Sequence, residues 1–257
     1  MSAAQPRLGR LARTVVYLPV TGSTNDVAAQ LIDAGGCEGA VVVAETQTAG
    51  RGRLRRAWYS PPGSGLYVSI VLAPGQARSD RANRATRLTT LAAGVALAEA
   101  VEWASFLHAT LKWPNDLYAG GRKLGGILAE ATAPGTTGEV VLGFGINVGA
   151  AAYPPELRDR ATSLESELGR EVDRGPLFAE SLVALDRRYD DLLAGRFDAI
   201  LDAWRALAPA STGGRVAWPT ASGPLSGTTA GIDRDGALLV DVGDRIERIV
   251  GGEVSWL

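Results

Sequence analysis

Lysine occurs at only two positions in this chain, Lys112 and Lys123, against 24 arginines. An ammonium is a compact, strongly hydrated charge suited to a single phosphate or carboxylate oxygen, whereas a guanidinium prefers planar, two-pronged pairing. The lysines open two neighbouring segments, Lys112-Trp113-Pro114-Asn115-Asp116 and Lys123-Leu124-Gly125-Gly126-Ile127. A second charged cluster, Gly50-Arg51-Gly52-Arg53-Leu54-Arg55-Arg56, packs four arginines and two glycines into seven positions, with Gln47 ahead of it and Trp58 behind. Cations this close repel unless neutralised, so the loop is expected to be mobile when empty and ordered when an anion arrives. A net charge of -2 gives no general attraction to nucleic acid, and there is no second basic region. Anion binding must therefore be local, and a small phosphate-bearing ligand fits better than RNA.

Other chemistries are thinly supplied. The single cysteine, Cys37, excludes an intrachain disulfide and a cysteine-cluster metal site, and points to a reducing cytoplasm. The single histidine, His108, follows the apolar pair Phe106-Leu107 and is taken as structural. Ser23-Thr24-Asn25-Asp26 opens a helix-like stretch, where capping is the simplest role; a helix start could also hold a polar ring or an anion. Gly143-Phe144-Gly145 invites a dinucleotide-binding assignment, which fails because the third glycine falls at 149 and the glycines sit within a strand-like run. Neither lysine has the glycine spacing of a phosphate-binding P-loop.

These residues need a scaffold, and 257 residues with 46% hydrophobic content can build one large domain or a main domain plus a small one. Apolar, β-branched runs at 14–18, 40–45, 66–72, 126–130 and 140–148 predict strands. Leu88, Leu91, Ala92, Val95, Leu97 and Ala98 recur at helical spacing, predicting a long helix from Ser79 or Asp80 to about Trp103. A hairpin turn is expected at Gly120-Gly121 and a turn at Pro134-Gly135. Helices are expected over 176–193, capped by Asp173, and over 197–207, parted from the first by Gly195. After Pro209 the texture changes to short β runs at 215–218, 225–232, 237–242 and 245–250, the pattern of a small all-β barrel. The expected organisation is a flexible segment over 1–13, a catalytic domain over 14–210 and a barrel over 211–257. The fold class is α+β, with a mixed sheet and helices on one face. Residues 1–13 are too short for a helix-turn-helix, and no apolar run matches a signal peptide or membrane span.

Taken in order, Ser23 to Asn25, Gln47, Gly50 to Trp58, Lys112 to Asp116, Lys123 to Leu128 and Gly143 to Asn147 resemble the motifs of the biotin protein ligases. Each motif is weak alone, but their shared order is specific. The similarity runs from about residue 14 to the end, because that family also carries an SH3-like C-terminal domain. Leu54 and Arg55 stand where the family usually has arginine and glycine, so the loop lacks one flexible glycine. The DNA-binding N-terminal domain of bifunctional members has no counterpart here, and no repressor role is expected.

The resemblance implies an ATP-dependent, AMP-forming ligase of the cytoplasm. It joins the biotin carboxylate to the α-phosphorus of ATP, then passes the biotinyl group to a lysine of a carboxyl carrier domain of an acetyl-, propionyl- or pyruvate-type carboxylase. Implied catalytic residues are Lys123, Lys112, Arg51 and Asp116. Implied biotin contacts are Ser23, Thr24, Asn25, Gln47, Gly50, Arg51, Gly52, Arg53, Lys123, Gly125 and Gly126. The nucleotide would meet Arg53, Arg56, Trp58, Lys112, Asn115 and Asn147, with Mg²⁺ at Asp116. DNA and membranes are not expected partners, and either a monomer or a homodimer is compatible. The alternatives are a lipoate or octanoate ligase or transferase of the same architecture, and a non-catalytic small-ligand or RNA-binding module.

Overall fold

Seven strands form the main sheet of this protein, whose computed structural model describes residues 7–76, 81–131, 138–151, 153–221 and 223–257. They are β1 (Thr14–Leu18), β2 (Ala40–Ala44), β3 (Gly65–Leu72), β4 (Thr110–Lys112), β5 (Asp116–Ala119), β6 (Arg122–Ala131) and β7 (Val140–Asn147), in the spatial order β1-β2-β3-β7-β6-β5-β4. β1 is parallel to β2 and the other pairings are antiparallel, so the sheet is mixed, as expected. The central strands β3 and β7 are buried from end to end, which is why they read as continuous apolar runs.

Both faces of the sheet are covered. On one side lie α2 (Ala82–Ser105), α5 (Arg174–Ala194) and α6 (Phe197–Leu207), sharing a core with Val41, Val68, Ile70 and Leu142. On the other, α1 (Thr24–Asp33) packs Ala28 with Ala40, Val42, Val71 and Val141. Strand alternation sends Val41 to one core and Val42 to the other. The long helices thus share one face, as the sequence predicts, and α1 covers the opposite one. α5 is capped by Asp173, whose carboxylate accepts from the Gly175 N–H at 2.8 Å, and ends at Gly195 with φ 73°. Gly120 and Gly121 turn β5 into β6. The predicted helix start at 79–80 and the turn at Pro134-Gly135 lie outside the described residues. β5 and β6 form the hairpin expected at Gly120-Gly121, whereas strand β4, the short helices α3 (Pro155–Arg158) and α4 (Leu164–Leu168), and the cis Trp113–Pro114 bond carry no sequence signal.

Residues 7–13, the described part of the segment expected to be flexible, are tied to α5: Asp186 accepts from the N–H groups of Gly9, Arg10 and Leu11 at 2.7, 2.8 and 3.0 Å, Arg7 pairs with Glu180, and Leu11 is buried. A buried carboxylate needs such donors, and here the N-terminal segment supplies them. The C-terminal unit is an open sheet and not a closed barrel. Its strands β8 (Thr212–Thr220), β9 (Gly223–Ile232), β10 (Leu238–Asp241), β11 (Ile246–Ile249) and β12 (Ser255–Trp256) run in the order β11-β10-β9-β8-β12. β11 and β12 are its edges; β12, with two residues pairing to β8, is too short to bridge them.

Candidate active site

A cleft of about 990 Å³ is lined by the start of α1, the 47–61 loop, β5 to β7, the 153–161 segment and the C-terminal sheet. One end is a hydrogen-bond network of uncharged side chains around Thr24, Gln47 and Ser60, edged by the Glu130 carboxylate. Thr24 donates to Gln47 Oε1 from both its backbone N (2.8 Å) and Oγ1 (3.0 Å), and Gln47 Nε2 donates to Ser60 Oγ at 3.1 Å. Ser69 Oγ lies 2.7 Å from Thr24 Oγ1, and Asn25 Nδ2 donates to Glu130 at 2.6 Å. Ser23, Thr24 and Asn25 are buried, yet the Ser23 side chain makes no cap; Gln47, from the neighbouring loop, serves the free N–H of the helix start instead.

The glycines of β6 and β7 make room for what packs on them. A Cβ at Gly143 would lie 2.2 Å from Asn25 Oδ1, and one at Gly145 would lie 2.5 Å from Trp58 Nε1. Gly126 also faces Trp58, with a Cβ there 3.0 Å from the indole. The Gly143-x-Gly145 pair is therefore a seat for Asn25 and an aromatic ring, consistent with its place inside a strand. Gly125, one residue along β6, faces the opposite way, toward Leu117 and Ile146, and does not line the cleft. Every other predicted site residue does: Ser23, Thr24, Asn25, Gln47, Gly50, Arg51, Gly52, Arg53, Arg56, Trp58, Lys112, Asn115, Asp116, Lys123, Gly126 and Asn147.

The other end is cationic, and sheet register assembles it. β4 pairs Lys112 with Asp116, and β5 pairs Tyr118 with Lys123. Lys123 Nζ lies 2.6 Å from Asp116 Oδ1 and 5.5 Å from the centre of the Trp58 ring. Lys112 Nζ lies 4.5 Å from the Tyr118 ring and 5.4 Å from Trp256. Burial holds the Lys112 pKa below its ordinary value; Asp116 opposes this, while Arg160 and Lys123 add to it. Burial likewise lowers Arg53, against the pull of Asp116. Arg53 reaches Asn115 Oδ1 at 3.3 Å, Asn115 donates to the Ile127 carbonyl at 2.7 Å, and Asn147 braces the Thr162 carbonyl at 2.9 Å.

The arginine loop is not left to its own repulsion. Arg51 pairs with Asp26 and, at 2.9 Å, with Glu130; Arg56 pairs with Glu253 of the C-terminal unit. Burial disfavours the Arg51 charge, but Glu130 and Asp26 outweigh it and raise its pKa. The expected mobility is thus countered by carboxylates distant in sequence. Leu54 and Arg55 both adopt left-handed backbone, with φ 56° and 60°. The cleft also contains Ser60, Tyr118, Tyr153, Arg160, Glu253 and Trp256, which sequence reasoning missed. Tyr118 was recoverable, since it shares a face of β5 with Asp116 two residues before. Trp256 had no local signal. His108, taken as structural, is exposed and 3.1 Å from Glu102.

This architecture is shared with solved enzymes. The structure of biotin protein ligase from Aquifex aeolicus in complex with biotin and ATP superposes with a TM-score of 0.79 at 28% identity, over 95% of this chain and 99% of that one. Residues 17–147 match the model of the biotin/lipoate A/B protein ligase family, and residues 213–257 match that of the biotin protein ligase C-terminal domain. The chain belongs to the biotin/lipoate A/B protein ligase family. It is 34% identical to the bifunctional ligase/repressor BirA of Bacillus subtilis, over 95% of this chain and 74% of that protein. It is 35% identical to the biotin--[acetyl-CoA-carboxylase] ligase of Mycobacterium tuberculosis, over 92% and 86%.

Proposed function

We propose that this protein activates biotin with ATP and transfers the biotinyl group to a lysine of a biotin carboxyl carrier domain. The observation that supports this best is the meeting, in one cleft, of the neutral network around Thr24, Gln47 and Ser60 with the cationic end around Lys112, Lys123 and Arg53. An uncharged ureido ring suits the first; a carboxylate meeting a polyphosphate suits the second. The relative solved with biotin and ATP supports the same pairing of substrates.

In the first step a biotin carboxylate oxygen attacks the α-phosphorus of ATP. The new O–P bond forms as the bond to the β-phosphate's bridging oxygen breaks, and pyrophosphate leaves. Repulsion between the two anions is the main obstacle, and fixed cations with enforced alignment offset it. Lys123 turns from Asp116 toward the carboxylate and the reacting phosphate, while Lys112, Arg53 and Arg56 serve the remaining phosphate oxygens. Ser23, Thr24, Asn25 and Gln47 hold the ureido ring, with Gly50 to Arg53 and Gly126 enclosing it and Arg51 fixing the loop. Trp58, Asn115 and Asn147 line the nucleotide side. In the second step the uncharged amine of the carrier lysine attacks the acyl carbon, AMP leaves with the bridging oxygen, and the amine's proton passes to solvent. Enclosure keeps water from the mixed anhydride meanwhile.

Mg²⁺ fits here as a companion of the nucleotide. Among the described residues no group of three or more His, Cys, Asp or Glu could hold an ion, and Asp116 already accepts from Lys123. One carboxylate plus substrate phosphates is an ordinary Mg²⁺ donor set. Asp116 would hold the ion, which when bound would neutralise phosphate charge. We assign catalysis to residues 14–210 and a supporting unit to 211–257. Acceptors would be carrier domains of acetyl-, propionyl- or pyruvate-type carboxylases, met in the cytoplasm by a monomer or homodimer. Among the described residues no helix is long and apolar enough to cross a membrane.

The test is intact-mass measurement of an unmodified carrier domain incubated with this protein, ATP, Mg²⁺ and a mixture of biotin and lipoate. Gain of one biotinyl group supports the proposal. A lipoyl group instead would reassign the substrate, and an unchanged mass would remove the ligase assignment.

A further inference from the structure

Each lysine of the cleft stands over a tryptophan: Lys123 over Trp58 at 5.5 Å and Lys112 over Trp256 at 5.4 Å. The two ammonium groups are nevertheless held differently. Lys123 has a carboxylate partner in Asp116 at 2.6 Å, whereas Lys112 Nζ lies against aromatic side chains: the Tyr118 hydroxyl at 3.5 Å, with that ring's centre at 4.5 Å, and the Trp256 ring at 5.4 Å. A carboxylate partner must be displaced before an arriving anion can use the charge. Tyr118, approached at its hydroxyl edge, and the Trp256 ring fix the ammonium's position with no carboxylate in contact; Asp116 acts on the charge only through space, so no partner has to be displaced.

Trp256 belongs to β12, on the edge of the C-terminal sheet, and pairs with Val216 of β8. Its ring is seated against Gly214, where a Cβ would come within 3.0 Å of it. Its indole N–H is buried and has no hydrogen-bond partner among the described residues. Leaving a donor unpaired carries a cost that a ring placed for its N–H would not bear. A ring placed for its face would accept it.

We propose that Trp256 is a positioning residue for adenylation: with Tyr118 it holds the Lys112 ammonium at the phosphate end of the cleft, so the C-terminal sheet completes the ATP site through an aromatic face. This rests on the ligase assignment above. It predicts an effect specific to the nucleotide. Removing the ring face lets Lys112 wander without touching the neutral network that would hold biotin.

Two measurements on full-length protein test it. Because the chain has two lysines, lysine-selective ¹³C labelling yields two side-chain signals, assigned with Lys112→Arg. In the wild type the Lys112 ε-protons should lie upfield, shielded by the Trp256 ring. In Trp256→Leu they should move toward the ordinary lysine position, in Trp256→Phe they should stay near the wild type, and Lys123 should hold still in both. In biotin-dependent pyrophosphate release, Trp256→Leu should raise the KM for ATP roughly 5–30-fold, the range a lost cation–π contact supports, with the KM for biotin unchanged. Trp256→Phe should recover most of the loss. The proposal is overturned if Lys112 keeps its signal in Trp256→Leu, if Phe behaves like Leu, or if the two KM values rise together. A wild type that releases no pyrophosphate would sink the ligase assignment instead, and the lysine signals would then decide the aromatic clamp alone.

Discussion

Lys123 Nζ lies 2.6 Å from Asp116 Oδ1, joining β6 to β5 at the floor of the cleft. The pair is partly buried, with 31% and 23% of the two side chains exposed, so neither charge stands alone before a ligand arrives. A partly exposed pair of this kind is worth roughly 0.2–1 kcal/mol to the fold. Asp116→Asn should therefore change stability by no more than about 1 kcal/mol. If Asp116 also positions the nucleotide and its metal, the same change should slow pyrophosphate release by about 10²-fold or more. Thermal unfolding and steady-state rates on one preparation check this; a rate like that of the wild type would remove Asp116 from the chemistry.

Gly145 is the tightest test of the aromatic seat. A methyl there would fall 2.5 Å from Trp58 Nε1, and the indole would have to leave β7. Gly145→Ala should cost roughly 1–3 kcal/mol in urea unfolding, the usual penalty for overpacking, and should weaken ATP binding measured by calorimetry, since Trp58 is assigned to the nucleotide side. A variant that unfolds and binds like the wild type would mean that Trp58 is not held against β7.

Lys112 makes the site sensitive to alkaline pH. Burial lowers its pKa, so the empty folded protein disfavours its protonated form, and that penalty is relieved as pH rises through the lowered value. A bound polyphosphate reverses the shift by stabilising the ammonium. Between the lowered value and the ordinary lysine value of 10.5, ATP binding should therefore take up a proton, and affinity should fall as pH rises. Calorimetry in two buffers of different ionisation enthalpy measures the uptake, which should vanish in Lys112→Met. Uptake that persists in that variant would assign the proton elsewhere.

Arg55 sits at φ 60°, a conformation glycine adopts without penalty. Arg55→Gly should relieve about 0.5–1 kcal/mol of local strain, partly offset by the greater chain entropy of glycine. Hydrogen exchange of the 50–56 amides is the sensitive readout. Slower exchange in the variant is the expected outcome, and faster exchange would mean that Arg55 contributes contacts which outweigh the strain.

Much of the sheet was legible because its centre is buried on both faces: β2, β3 and β7 announce themselves as apolar runs, and Gly195 ends α5 and parts it from α6. β4 and β5, three and four residues long, are too short for periodicity to register. The site was legible where its residues cluster in sequence, at 23–25, 50–58, 112–116 and 123–126. It was illegible where a partner comes from afar. Glu130 holds Arg51, Glu253 holds Arg56 and Trp256 faces Lys112, and none of the three is marked by its own neighbours. The same holds for Asp186, whose ties to residues 9–11 turn a polar N-terminal stretch into ordered structure.

The most direct test of the central claim is pyrophosphate release followed with biotin and ATP supplied singly and together. Release should require both substrates and should be lost in a folded Lys123→Ala variant. Release from ATP without biotin, or undiminished release by Lys123→Ala, would contradict the account.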